Sequence, residues 1–154
     1  MNFRIAGLDP APFAHLHVLS DDELGARGIV RVRIEAKNSA PCRISLDDAD
    51  IGEHVLLINH AHQPADTPYK QQGPIFVRET RARADVANIV PPALARRTIS
   101  LRGFNATHMM IEADLVEGAD AATLIERFFA NEHVAYIQAH YARRGCFAAT
   151  ITRA

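Results

Sequence analysis

The chain has no tryptophan, only two cysteines in 154 residues, and no apolar run approaching the length of a membrane-spanning helix. Each shortage excludes something. Cys42 and Cys146 are too few for a disulfide-framed secreted domain, and in a reducing compartment both are expected as thiols. Residues 1–10 lack the continuous apolar stretch of a secretory leader, so a cytoplasmic location is expected. Neither sign of charge dominates. Seventeen Lys and Arg stand against eighteen Asp and Glu, a net charge of -1, so the electrostatic footprint of a nucleic-acid or anionic-membrane binder is missing. The P-loop, the dinucleotide glycine fingerprint, the zincin helix and the serine elbow are absent as well. Asp47, Asp48 and Asp50 lack the glycine and closing glutamate of a calcium loop. No cofactor and no metal are expected.

What is present is an ordinary globular composition, 48% hydrophobic and 23% charged, enough to bury one core over residues 1–154 as a single domain. Ser20 followed by Glu23 is a capping box and predicts a short helix ended by Gly28. Alternation at Val30, Val32 and Ile34, against Arg31, Arg33 and Glu35, predicts a half-buried strand. A small helical turn is expected after Ser45, and another short helix at 92–97 inside an otherwise exposed connection, 80–97. Strands are predicted at 98–104 and 109–116, joined by a polar turn at Asn105, Ala106 and Thr107, and at 134–140 and 146–151 around Gly145. Between them Ala121, Leu124, Ile125, Phe128 and Phe129 form one stripe at helical spacing, which predicts an amphipathic helix over about 120–130 capped by Asp120. Strands in hairpins with one main helix and short N-terminal helices predict an α+β domain with a mixed, mostly antiparallel sheet.

The segment 52–78 has the form of a site. An apolar strand at 55–58 runs into a stiff polar loop, 59–74, that carries Asn59, His60, His62, Asp66 and Tyr69 between prolines before a strand resumes at 75–78. His60 and His62, two apart, would share one face of a continuing strand, but further ligands for a metal are not indicated. Cys42 and Cys146 each lie beside arginine, and a nearby cation favours a thiolate nucleophile with His140 as a base; packing as a small apolar group is the alternative for both. Arg43, Arg78 and Arg102 sit on or beside strands, where a guanidinium either clamps an acidic ligand or pairs with acids of its own sheet, such as Glu79, Glu112 or Asp114.

Pro41-Cys42-Arg43, Gly52-Glu53 leading into Val55-Leu56-Leu57, Pro68-Tyr69, Gly73-Pro74-Ile75-Phe76-Val77 and Arg144-Gly145-Cys146, in that order, resemble the bacterial family catalogued as domain of unknown function 1203. The likeness runs from about Phe3 to Arg153. It implies a small single-domain bacterial protein and carries no established activity. Relatives often hold a second cysteine where this chain has Ser45, a basic residue in place of Ile44, and an aromatic residue in place of His60; His62, Pro68, Tyr69, His140 and Cys146 keep the pattern.

Two classes of function follow. In the first, the 59–74 loop covers a pocket for a small polar ligand, with His62, Asp66 and Tyr69 as contacts and Arg43 or Arg78 fixing an acidic group. In the second, Cys42, Cys146 or His140 is the reactive group of a hydrolase or transferase acting on a small substrate. Self-association through exposed sheet edges, giving a homo-oligomer, is the third reading.

Overall fold

The hairpins read from the sequence resolve into two separate antiparallel sheets in the computed structural model, which describes residues 2–154. The strands are β1 (Phe3–Ala6), β2 (Val30–Arg33), β3 (His54–Gln63), β4 (Gln71–Arg78), β5 (Asp85–Ala87), β6 (Thr98–Phe104), β7 (Met110–Glu117), β8 (Tyr136–Tyr141) and β9 (Phe147–Arg153). The helices are α1 (Asp21–Gly25), α2 (Pro92–Ala95) and α3 (Ala121–Ala130), with 3-10 segments at Ala11–Val18 and Gly118–Asp120. A six-stranded sheet has the order β5-β1-β9-β8-β6-β7, and a three-stranded sheet has the order β2-β3-β4. The α+β class stands, but the one sheet expected is two.

Each sheet has its own apolar cover. The stripe Ala121, Leu124, Ile125, Phe128 and Phe129 of α3 is buried against Ile99, Leu101, Ile137, Ala139 and Ile151 of the large sheet. Burying each large apolar side chain contributes about 1.5–3 kcal/mol, which is why this short helix is held by its packing rather than by its propensity. Over the small sheet, Phe13, Leu16 and Leu24 from the N-terminal helical segments close on Leu56, Ile58, Ile75 and Val77. The capping box that starts α1 is formed, with the Glu23 amide on Ser20 Oγ at 3.2 Å and the Ser20 amide on the Glu23 carboxylate at 2.7 Å.

Several local expectations are corrected. Residues 80–97 are not only an exposed connection, since β5 pairs with β1 and extends the large sheet. No helical turn follows Ser45; Leu46 has a φ of 52° there and plugs the main core. Val30 is 55% exposed, so the alternation at the start of β2 does not mark a buried face. Asp120 makes no side-chain cap, because α3 is entered directly from the preceding 3-10 turn.

The largest correction concerns 59–74. Strand β3 continues through His60 and His62 to Gln63, with a register shift between His60 and Gln63, and β4 begins at Gln71. The loop is therefore a short hairpin tip, and its flanks lean on the open face of β6 and β8. There Gln63 Nε2 donates to Tyr136 Oη at 2.8 Å, and Gln138 Nε2 donates to the carbonyl of His62 at 2.9 Å. At the other end of the sheet junction runs the segment 40–48. Its Arg43 amide donates to the carbonyl of Phe76 in β4 at 3.0 Å, and Leu8 donates back to the carbonyl of Arg43 at 2.8 Å. This threads the Arg43 side chain between the sheets.

Candidate functional site

Arg43 is the most demanding residue in the molecule. Its side chain is fixed from both directions by backbone: the residue is tied to β4 through its amide, while its Nε donates to the carbonyl of Phe147 in β9 at 2.7 Å. Only 1% of it is exposed. Nη1 donates to the carbonyl of Pro41, Nη2 donates to Cys146 Sγ at 3.2 Å, and the guanidinium carbon lies 4.8 Å from the centre of the Tyr141 ring. All these partners are neutral groups or a thiol, and among the described residues no carboxylate pairs with it. Burial pushes the guanidinium below its ordinary value. An uncompensated buried cation costs several kcal/mol, and three of five N–H donors are used, leaving two.

Tyr141 closes the same wall. It is the last residue of β8, is 5% exposed, and its hydroxyl is buried without a hydrogen-bond partner. Burial raises it to about 12 against the opposing pull of Arg43 and Arg97, so the hydroxyl keeps its proton at neutral pH and is free to donate. An unsatisfied buried hydroxyl carries a penalty of about 1–3 kcal/mol.

The two groups line a cavity of about 530 Å³, within the range of small-molecule sites. Arg96, Arg97, Arg143, Arg144 and Cys146 share its wall. Arg96 and Arg97 are already balanced. Asp48, 8% exposed, receives Arg97 Nη2 at 2.6 Å and Arg96 Nη1 at 3.1 Å, and Asp47 receives Arg96 Nη1 at 3.0 Å. The Glu117 carboxylate accepts from Thr98 Oγ1 at 2.9 Å. Arg143 and Arg144 are exposed in the turn between β8 and β9 and form no ion pair among the described residues. Positive charge is thus in excess around a concave space, and its innermost member is Arg43.

Residues 39–153 match a family model described as a protein of unknown function, DUF1203. The chain belongs to the DUF1203 family. Neither the curated proteins nor the solved structures contain a significant match to it. Arg43, Tyr141 and Cys146 all fall inside the DUF1203 match.

The other sequence-derived candidates of this DUF1203 chain distribute unevenly. Cys42 is fully buried, and its sulfur accepts from the amides of Ile44 and Arg78, each at 3.4 Å; it packs with the core of the small sheet. Arg78 pairs with Glu53, with Asp50 at 3.7 Å as a second acid, so its charge is matched by acids of the connection leading into β3. Asp66 is fully exposed at the hairpin tip, with Lys70 at 3.9 Å, and Tyr69 sets its ring edge on Phe104 with 6.1 Å between centres. Neither reaches the cavity lined by Arg43.

His62 and His140 do meet, with ring centres 5.0 Å apart, and Phe147 stacks on His62 at 5.3 Å. Gln138 Oε1 faces His62 Nδ1 at 3.2 Å and His140 Nε2 at 3.3 Å, while His140 Nδ1 faces the carbonyl of Gly145 at 3.1 Å. Burial lowers His60 and His62, and lowers His140 to about 3, with the positive charge of Arg102 adding to the effect on the last two. Both ring nitrogens of His140 are committed to partners other than Cys146, so a thiol–imidazole dyad is not assembled. Arg102, lowered by burial, contacts Gln71 Oε1 at 3.3 Å and pairs with no acid among the described residues, contrary to the expected partnership with Glu112 or Asp114. Among those residues no group of three or more His, Cys, Asp or Glu is placed to hold a metal ion. Sequence reasoning missed Tyr141 and Arg97, because the buried hydroxyl and the second guanidinium 5.2 Å from that ring become informative only once the strands are paired.

Proposed function

We propose that this protein binds a small anionic molecule, carrying a carboxylate or phosphate, in the cavity walled by Arg43, Tyr141 and Cys146. The observation that carries the reading is Arg43: a guanidinium 1% exposed, with no carboxylate partner among the described residues and two N–H donors unused. An anion there would supply the missing counter-charge and accept from the Tyr141 hydroxyl. The ligand site thereby moves from the hairpin 59–74 to the segment 40–48 and the β8–β9 turn. Negative charge and a size compatible with about 530 Å³ are what the cavity selects.

Tyr141→Phe separates this reading from a merely structural one. Removing an unsatisfied hydroxyl leaves the fold as stable as before or up to about 1 kcal/mol more stable. If the hydroxyl serves a ligand, the same variant weakens binding of phosphate or citrate, measured calorimetrically on Cys146→Ser protein, by about five- to tenfold. Unchanged affinity in Tyr141→Phe and in Arg43→Met, or no saturable binding to the parent, rejects the proposal.

A thiol-dependent reaction is the second reading, favoured by the Arg43 Nη2 donation to Cys146 Sγ at 3.2 Å on the wall of a cavity. His140 is not its base in this geometry. A hydrolase or transferase of this kind would need its proton acceptor from the substrate or from water.

A further inference from the structure

Of the two thiols, Cys42 is sealed in the small-sheet core, whereas Cys146 is half-buried and lines the cavity. Its sulfur faces the Arg43 guanidinium at 3.2 Å, and Tyr141, whose buried hydroxyl has no partner, lines the same cavity. Two further arginines, Arg143 and Arg144, stand exposed beside it with no ion pair among the described residues. A thiol placed between a buried cation and two exposed ones is matched to an acidic reactant. We infer that Cys146 is a modification site that forms a mixed disulfide with a low-molecular-weight thiol bearing carboxylates, whose acidic end is held by the arginines around the cavity. This inference rests on the anion-binding reading of that cavity.

The step is a thiol–disulfide exchange. Cys146, having released its proton to water, attacks one sulfur of a small disulfide; the new bond to Sγ forms as the old sulfur–sulfur bond breaks. The electron pair leaves with the departing half, which takes a proton from solvent. Cys146 is oxidised to the disulfide level, and the departing thiol is reduced. Because Cys42 is fully buried with its sulfur held by two amides, no resolving cysteine stands ready, and the adduct persists until an external thiol reverses it.

The test compares three disulfides on the intact protein by peptide mass spectrometry: glutathione disulfide, which is anionic, cystamine, which is cationic, and neutral 2-hydroxyethyl disulfide. Expected is a preference of at least about tenfold for glutathione disulfide over cystamine at Cys146, absent in urea-unfolded protein. Arg143→Ala with Arg144→Ala, both in an exposed turn, should remove that preference, lowering the rate with glutathione disulfide far more than the rate with the neutral disulfide. No native adduct at Cys146, an identical charge preference in folded and unfolded chains, or indifference to the double substitution overturns the inference. Phosphate binding to Cys146→Ser is read alongside. Binding without any adduct refutes the modification site alone, and equal rates with all three disulfides together with no phosphate binding refute both readings.

Discussion

Acidification should unlock the junction between the two sheets through His140. The ring is fully buried and held near 3, first by burial and then by the charge of Arg102, with His62 and Arg43 adding smaller contributions and the carbonyl of Gly145 opposing. A folded value below the unfolded one of about 6.5 means that this contribution to stability is complete above pH 6.5 and is lost as the pH falls toward 3. At about 1.4 kcal/mol per pH unit, the loss has an upper limit of about 5 kcal/mol. The geometry argues for less. A neutral ring donates from one nitrogen, and the shorter contact assigns that proton to the Gly145 carbonyl at 3.1 Å; the charged ring would also donate to Gln138 Oε1 at 3.3 Å. A hydrogen bond to a charged group returns about 1.5–3 kcal/mol, so a net loss of about 2–3.5 kcal/mol is expected. The assay is urea unfolding of the parent and of His140→Gln at half-unit steps from pH 7.5 to 4, with the variant cancelling the carboxylates common to both. The stability difference between them should shrink steadily below pH 6.5, and the His140 ring proton shifts should remain those of a neutral imidazole at about pH 6, where an ordinary histidine is mostly charged. Parallel curves for the two proteins, or a His140 titration centred near 6.5, would refute the reasoning.

Three further outcomes test the fold that carries the site. Gly145 has a φ of +74° with open space where a side chain would go, so Gly145→Ala should cost about 1–2 kcal/mol from backbone conformation alone, and Gly145→Asn less, by thermal unfolding. At Gly118 an added Cβ would stand 1.9 Å from the carbonyl oxygen of Leu94, so Gly118→Ala should cost more than about 4 kcal/mol and yield little soluble protein, where equal expression would contradict the packing of α2 on the turn before α3. Glu53 accepts from Arg78 Nε at 3.1 Å with both side chains mostly covered, so Glu53→Ala should lower the urea midpoint by the equivalent of about 1–2 kcal/mol, more than an exposed ion pair would.

What could be read from the sequence is what is local. The Ser20–Glu23 box and the stripe on α3 are written within one or two helical turns, and both form as read. The hairpin β6–β7 was legible for the same reason, with Asn105 accepting the amides of Thr107 and Met109, each at 3.0 Å, in its turn. Strands β1 and β5 left no comparable mark, because four and three residues are too short for a pattern and each strand's identity lies in a partner some eighty residues away. The same holds for the site. Arg43 and Cys146 stood out singly as an arginine and a thiol beside basic neighbours, yet their pairing joins positions 103 apart in sequence. Tyr141 is hidden in the sequence because the strand predicted at 134–140 stops one residue short of it, and a hydroxyl is recognisable as orphaned only after its surroundings are packed. Conversely, the crowding of polar residues at 59–74 suggested a site where the chain builds a continuing strand and a sheet-to-sheet contact, since side chains that bridge to a neighbouring sheet resemble, in one dimension, side chains that await a ligand.

The most direct test follows the Arg43 guanidinium itself by nitrogen–proton NMR while phosphate is added to Cys146→Ser protein at low ionic strength. Burial and its bond to the Phe147 carbonyl should make the Nε–H resonance slow to exchange and therefore visible. An anion in the cavity predicts that this resonance and the backbone amide of Ala142 shift together and saturate with one dissociation constant, below about 1 mM. An Arg43 resonance that stays in place, while exposed lysines and arginines shift without saturating, would contradict the account.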